Sequence, residues 1–165
     1  MKELEITAQE LINVCKIKNL KLGTAESCTG GLISATITSI SGSSAIYDLG
    51  YITYSNQSKV DLLKVNQKDI EQHGAVSKEV CSQMSSNLIH LNPSIDLSIA
   101  VSGIAGPKSD ETKKEVGLVY IAISANRQTL CNEYKFGDIG RDNVRYSTTI
   151  ESFKLAHKII NQLYS

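Results

Sequence analysis

The sequence predicts a single α/β domain over all 165 residues: a three-layer sandwich of a mainly parallel sheet with an antiparallel strand, and helices on both faces. Strand-like and helical segments alternate along most of the chain, which implies crossover connections between parallel strands. Two apolar runs, 97–101 and 116–124, suit strands that are buried on both faces. Two consecutive strand-like segments near the end predict one antiparallel pair.

The first forty residues predict a helix, a strand and a second helix. Thr7 and Glu10 have the spacing of a capping box, which predicts a helix over 8–18 with Thr7 as its N-cap. The segment 21–25 is a short strand candidate. The Gly pair after Thr29 opens a second helix that runs to about residue 40.

The rest of the chain continues this alternation. Aromatic and β-branched residues over 47–54 predict a strand. Ser77 begins an amphipathic helix that ends near His90, with Pro93 just beyond it. By the same criteria we expect helical pieces at 56–63 and 68–72, buried strands at 97–101 and 116–124, an edge strand at 130–136 and a long final helix at 141–164.

Composition narrows the function classes. The 17 basic and 17 acidic residues balance, which argues against a nucleic-acid partner. No apolar run approaches the roughly 18 residues of a membrane helix, and the charged start is unlike a signal peptide. We therefore expect a cytoplasmic protein that has no membrane partner. The four cysteines form no C-x-x-C pair and the histidines show no metal spacing, so we expect no metal site.

The segment 25–31 carries the first candidate site. A predicted strand ends here and a helix begins, so Ser27 lies at a helix N-terminus. The first backbone amides of such a helix have no partner within the helix, and the helix dipole is positive at this end. Such a turn presents a nucleophile and stabilises developing negative charge. The alternative is that Ser27 is only a helix N-cap, which is the commoner role of serine at this position.

The segment 51–59 places a second pair of candidates near that edge. Tyr54 lies at a strand end and Lys59 about one helical turn later. A desolvated lysine serves as a base that activates serine. The alternatives are a solvated surface charge for Lys59 and core packing for Tyr54.

Two further segments are candidates for substrate binding. A buried strand enters a Gly/Pro turn at 102–107, and ligands of open α/β sheets bind at such carboxyl ends. Arg141 and Arg145 are four residues apart on the final helix and therefore share a face. They suit a phosphate clamp, although an exposed pair of charges is the commoner outcome of this spacing.

In this order, these segments resemble the CinA C-terminal domain family, the nicotinamide-nucleotide amidases. The resemblance covers nearly the whole chain and looks like the stand-alone form of the family. The matching stretches are AESCTGG (25–31), GSSAIYDLGYITYSNQSKVDLL (42–63), HGAVSKEV (73–80), SGIAGP (102–107) and VG (116–117).

The resemblance implies an activity and a catalytic set. The family deamidates nicotinamide mononucleotide, a pyridine mononucleotide, to nicotinic acid mononucleotide and ammonia without a metal or organic cofactor. The residues that match the catalytic positions of the family motifs are Ser27, Lys59 and Tyr54. The resemblance, together with the prevalence of two-fold dimers among soluble proteins, also predicts a homodimer. Substrate-binding candidates are Cys28, Thr29, Gly30, Gly31, Ser102, Gly103, Ala105, Gly106, Arg141 and Arg145.

Three departures from the family pattern concern substrate contacts. The family has a Gly-rich stretch after its AGP motif, whereas residues 108–115 are rich in Lys, Asp and Glu. Ser102 replaces a common Thr, and the order before the last helix is Ile139-Gly140-Arg141. Two alternatives stay open: a non-catalytic binding module associated with competence or DNA damage, and a hydrolase of another small amide.

Overall fold

Five strands form one central sheet in the computed structural model, which describes residues 2–165. The strands are β1 (Leu22–Glu26), β2 (Tyr47–Ile52), β3 (Leu97–Gly103), β4 (Leu118–Ala125) and β5 (Gln128–Lys135). Their spatial order is β2-β1-β3-β4-β5. Strand β1 pairs in parallel with β2 and β3, and β4 pairs antiparallel with β3 and β5. The predicted mainly parallel sheet is confirmed, with β4 as its antiparallel strand.

Helices cover both faces of the sheet, as predicted. They are α1 (Lys2–Lys18), α2 (Leu32–Thr38), α3 (Asn56–Leu63), α4 (Gln67–His73), α5 (Lys78–Leu91) and α6 (Arg141–Leu163). One core lies between the sheet and α1, α2 and α6, and it includes Leu11, Ile33 and Phe153. A second core lies beneath α5 on the opposite face and includes Leu63, Met84 and Leu88. No helix within residues 2–165 is long and apolar enough to cross a membrane.

Several element boundaries differ from the sequence prediction. Helix α1 begins at Lys2, so the prediction of Thr7 as its N-cap is wrong. The Thr7 hydroxyl lies inside the helix and donates to the carbonyl oxygens of Glu3 and Leu4. Strand β4 is antiparallel to both of its neighbours, β3 and β5, so the sheet contains two antiparallel pairs where one was predicted.

Helix α2 begins at Leu32 and not at Thr29, because a tight turn precedes it. Gly30 and Gly31 take positive φ values of 58° and 103°, a backbone conformation that glycine adopts without steric strain. The Gly30 amide donates to the Ser27 carbonyl at 3.0 Å, which closes the turn. The turn therefore separates the end of β1 from the first turn of α2 and leaves Ser27 at the edge of the sheet.

The buried carboxylate of Glu26 caps α2 and fixes this turn. It accepts hydrogen bonds from the amides of Gly31, Ile33 and Ser34 at 3.2, 2.9 and 3.0 Å. The hydroxyls of Thr29 and Ser34 each donate to it at 2.6 Å. A negative charge at a helix N-terminus also interacts favourably with the helix dipole. Glu26 thus uses the amides that would otherwise be available to an external anion.

We predict that Glu26→Gln lowers the free energy of unfolding by at least about 2 kcal/mol, because a neutral amide removes the charge-assisted hydrogen bonds of a buried group. Urea denaturation followed by circular dichroism measures this change. The matched control is Glu10→Gln, since Glu10 is exposed on α1. Equal stabilities of the two variants would contradict the role assigned to Glu26.

Candidate active site

A cavity of about 260 Å³ opens at the carboxyl ends of β1 and β3. This is the edge at which ligands of open α/β sheets bind. The cavity wall combines the end of β1, the start of α3, the turn between α4 and α5, the loop after β3 and the start of α6. Nine of the site residues predicted from the sequence line this cavity: Ser27, Cys28, Tyr54, Lys59, Ser102, Gly103, Ala105, Gly106 and Arg141.

Ser27 is placed by the sheet itself. Its amide donates to the Val101 carbonyl at 3.2 Å and extends the pairing of β1 with β3 by one residue. Its side chain is 8% exposed and lines the cavity. Because successive side chains of a strand point to opposite faces, Ser27 faces away from the side on which Glu26 caps α2.

Lys59 is buried beside Ser27. Its side chain is 1% exposed, and its Nζ lies 3.1 Å from Ser27 Oγ. The same Nζ donates to the Thr53 carbonyl at 2.7 Å and lies 3.5 Å from the carbonyls of Tyr54 and Ser55. Helix α3 holds Lys59 in place, and the Ser55 side chain caps that helix by accepting from the Ser58 amide. The predicted proximity of Ser27 and Lys59 is therefore present in the fold.

The surroundings of Lys59 favour a neutral amine. Burial lowers its pKa from 10.5 to about 8, although the nearby thiols of Cys28 and Cys81 oppose the shift. The salt bridges found within residues 2–165 do not include Lys59, so its hydrogen-bond partners are neutral oxygens. A buried lysine without a carboxylate partner is a weaker base than an exposed lysine, so a much larger fraction of it is neutral and able to accept a proton near pH 8.

Cys28 lies next to Ser27 but is unsuited to nucleophilic attack. Burial raises the pKa of its thiol to about 12, so the thiolate is scarce near neutral pH. The thiolate is the reactive form of cysteine. Of these two adjacent side chains, Ser27 is therefore the better nucleophile.

Tyr54 and Arg141 form the rim of the cavity. The Tyr54 side chain is 61% exposed, and its hydroxyl accepts a hydrogen bond from Arg141 Nη2 at 2.8 Å. Arg141 Nη1 donates to the Gly106 carbonyl at 2.6 Å. Arg141 thus links the end of β2 to the loop after β3, and its guanidinium remains on the cavity wall.

Four predicted site residues lie behind the cavity wall and do not line it: Thr29, Gly30, Gly31 and Arg145. Arg145 donates to the Thr29 carbonyl at 2.9 Å and lies 3.8 Å from the Asp142 carboxylate. The Gly31 amide is used by Glu26. These residues support the turn that presents Ser27, and Arg141 and Arg145 do not act as one clamp.

Several residues of the site were missed in the sequence. Asn56, Val76, Lys108 and Asp110 line the cavity, and Ser102 Oγ donates to the Ala75 carbonyl at 2.8 Å. The charged loop over 108–115 is fastened to the turn before α5, where Lys114 donates to the carbonyls of His73 and Val76. Only the unusual charge of this loop marked it in the sequence.

The fold and the site together define an α/β sandwich with a buried serine–lysine pair at the carboxyl edge of its sheet. The model of one family, the CinA C-terminal domain, matches residues 4–160. The chain belongs to this family, which confirms the resemblance inferred from its motifs.

Known relatives agree with this placement. A nicotinamide-nucleotide amidohydrolase PncC of Enterobacter agglomerans is 39% identical over 157 residues, which cover 94% of each chain. A CinA-like protein of Colwellia psychrerythraea is 45% identical over 126 residues, and this match covers 75% of the chain but 29% of that protein. The chain thus corresponds to about a third of the length of such larger relatives.

Solved structures of the family have the same fold. The crystal structure of the competence/damage inducible protein CihA from Agrobacterium tumefaciens has a TM-score of 0.88 at 38% identity, with 93% of each chain covered. A competence damage-inducible protein A from Klebsiella pneumoniae has a TM-score of 0.93 at 28% identity, covering 97% of this chain and 98% of that one.

We predict that Lys59 makes the stability depend on pH. Because the folded pKa of about 8 lies below the ordinary 10.5, the buried charge destabilises the fold below pH 8. Between pH 8 and 10.5 the unfolded chain binds more protons than the folded one, so stability rises with pH. The free energy of unfolding of the wild type, minus that of Lys59→Met, should increase by about 2.5 kcal/mol from pH 7 to pH 10.

Urea denaturation at both pH values tests this prediction, with Lys68→Met as the control because Lys68 is exposed on α4. The control should differ from the wild type by the same amount at both pH values. A difference between wild type and Lys59→Met that does not change with pH would show that Lys59 keeps an ordinary pKa in the folded protein.

Proposed function

We propose that this protein is a nicotinamide-nucleotide amidase that converts nicotinamide mononucleotide to nicotinic acid mononucleotide and ammonia. The observation that carries the proposal is the 3.1 Å separation of Ser27 Oγ from a buried Lys59 amine whose pKa is about 8. The substrate is supported by the similarity to the PncC amidohydrolase along nearly the full length of both chains.

In the first step, the neutral Lys59 amine takes the Ser27 proton while Ser27 Oγ attacks the carboxamide carbon. The new C–O bond places negative charge on the former carbonyl oxygen. Collapse of this intermediate breaks the C–N bond, and the Lys59 ammonium returns the proton to the departing ammonia. The product of this step is an ester between Ser27 and the pyridine carboxyl group.

In the second step, water replaces ammonia at the same position. Lys59, neutral again, takes a proton from water as it attacks the ester. Cleavage of the ester bond returns the proton to Ser27 Oγ and releases the carboxylate product. One base therefore serves both half-reactions, because each begins with an amine that carries no charge.

Backbone amides beside Ser27 are candidates to stabilise the negative oxygen. Within residues 2–165 the amides of Cys28 and Thr29 donate no hydrogen bond to another residue, whereas the Gly30 and Gly31 amides are used by Ser27 and Glu26. Donors that are fixed before the reaction stabilise developing charge without having to reorganise. Glu26 fixes the turn that carries these amides by capping α2, and of the two residues Cys28 lines the cavity.

The remaining groups of the cavity wall suit the rest of the substrate. Arg141 and Lys108 are cationic groups that line it, and an arginine fork binds phosphate oxygens through paired hydrogen bonds. Tyr54 orients Arg141 through its hydroxyl and carries an exposed ring at the rim. Arg145 acts indirectly, because it donates to the Thr29 carbonyl and lies outside the cavity.

For the assembly we propose a homodimer. Light scattering at micromolar concentration tests this proposal, and a monomeric mass would contradict it.

We predict that Ser27→Ala lowers ammonia release from nicotinamide mononucleotide by about 10³-fold or more while leaving the fold intact, because the nucleophile is lost. Steady-state kinetics and circular dichroism measure both properties. The control is Ser58→Ala on α3, whose hydroxyl is bonded to the Ser55 carbonyl. A folded Ser27→Ala protein with wild-type turnover would show that Ser27 is not the nucleophile. If the wild type hydrolysed another small amide but not nicotinamide mononucleotide, the proposed substrate would be wrong.

We also predict that kcat/KM rises about tenfold per pH unit below a pKa near 8 and levels off above it, because the neutral form of Lys59 is the base. Lys59→Met should lose about 10²–10⁴-fold in rate. Lys64→Met, at the end of the same helix, should keep the wild-type rate and pH profile. A pH-independent wild-type rate from pH 6 to 9 would exclude Lys59 as the base.

A further inference from the structure

Two cysteines outside the proposed catalytic set, Cys81 and Cys131, pack in the core beneath α5. Cys81 is on α5 and is fully buried, with its Sγ 3.4 Å from the Ala100 carbonyl and 3.3 Å from the Tyr120 carbonyl. Cys131 is on the edge strand β5, opposite Ala122, and packs against the same core. Cys81 Sγ therefore lies against the backbone of β4 next to Ala122, the residue that pairs with Cys131.

The two thiols differ in exposure and in acidity. Cys131 is partly exposed, whereas Cys81 is buried. Interactions with the neighbouring Cys81 and Ser82 side chains and the charge of Lys78 lower the pKa of Cys131 against the effect of burial. Burial, together with the interaction with Cys131, raises the pKa of Cys81. A partly exposed thiol of lowered pKa beside a buried thiol is the arrangement in which one sulfur reacts first and the other completes a disulfide.

We infer that Cys81 and Cys131 form a peroxide-sensitive site that closes to an intramolecular disulfide between α5 and β5. The inference is independent of the proposed amidase activity, because neither Ser27 nor Lys59 takes part. Disulfides of this kind in reducing compartments are typically transient and serve redox sensing.

The chemistry balances with a hydroperoxide as oxidant. The Cys131 thiolate attacks one oxygen of the peroxide, so an S–O bond forms, the O–O bond breaks and the other oxygen leaves as alkoxide or hydroxide. Sulfur loses two electrons and the peroxide gains them, which gives a sulfenic acid on Cys131. The Cys81 sulfur then attacks the Cys131 sulfur, the S–O bond breaks, and the Cys81 proton leaves with the oxygen as water.

The two remaining cysteines provide an internal comparison. Cys15 and Cys28 are buried, and burial raises the pKa of each thiol to about 12. Neither sulfur is therefore an accessible thiolate. Mild treatment with hydrogen peroxide should select Cys131 first and Cys81 second out of the four cysteines.

The test treats the full-length protein with hydrogen peroxide and then alkylates it after denaturation. Mass spectrometry of the wild type should show the loss of two hydrogen atoms, two alkylated cysteines instead of four, and a peptide that joins Cys81 to Cys131. A dithiol reductant should restore all four thiols. Oxidation of Cys131 to sulfinic acid without the disulfide, a cross-link to another cysteine, or four intact thiols would each overturn the inference.

Variants separate the two roles while circular dichroism confirms folding. Cys131→Ser should leave Cys81 reduced, whereas Cys81→Ala should leave a Cys131 sulfenic acid that dimedone traps. Cys15→Ala is the matched control, because it removes a buried thiol from the opposite core and should form the disulfide as the wild type does. A Cys131→Ser protein in which Cys81 is oxidised at the wild-type rate would contradict the order of the steps.

Discussion

The amine of Lys59 is buried at the edge of the sheet, with one hydroxyl and backbone carbonyls as its hydrogen-bond partners. Removal of an ammonium group from water is costly unless an opposite charge compensates for it, and here the charged form is disfavoured instead. The fold tolerates this because α3 is capped at Ser55 and its apolar face packs into the α5 core through Leu63. The lowered stability of the fold below pH 8 and the proposed role of Lys59 as a general base have this one physical cause.

Glu26 and Ser27 are adjacent, yet they belong to different faces of the sheet. The alternation of a strand directs Glu26 towards α2 and Ser27 towards Lys59. The buried Glu26 and Lys59 side chains therefore have different partners, and no salt bridge within residues 2–165 joins them. Had they paired, the attraction would have raised the pKa of Lys59 and kept its amine protonated near neutral pH, where it could not accept a proton.

Much of the fold followed from patterns of apolar residues and glycine. The strand predicted at 97–101 is present and extends to Gly103. This strand and the carboxyl-edge position of Ser27 and Lys59 were predictable because strand ends and helix starts have local signals. The capping role of Glu26 was missed, since a glutamate at a strand end has no local sign of burial. Thr7 was misassigned because the residues before it also form helix, which a capping pattern does not exclude.

The arginines show why spacing alone did not define the substrate site. Arg141 and Arg145 share a helix face, but only Arg141 reaches the cavity, because Arg145 is held by the Thr29 carbonyl. That contact joins residues 116 positions apart in the sequence and depends on how α6 packs over the turn after β1. Tertiary contacts of this length leave no periodic trace in a single sequence.

The titration of Lys59 itself tests the central claim most directly. Lysine labelled with ¹³C at Cε reports the protonation of each amine by NMR, and the resonance missing from Lys59→Met identifies Lys59. The account predicts that this resonance titrates with a pKa of about 8, well below the 10.5 that is ordinary for an exposed lysine. A Lys59 resonance that titrates together with the exposed lysines would contradict the account.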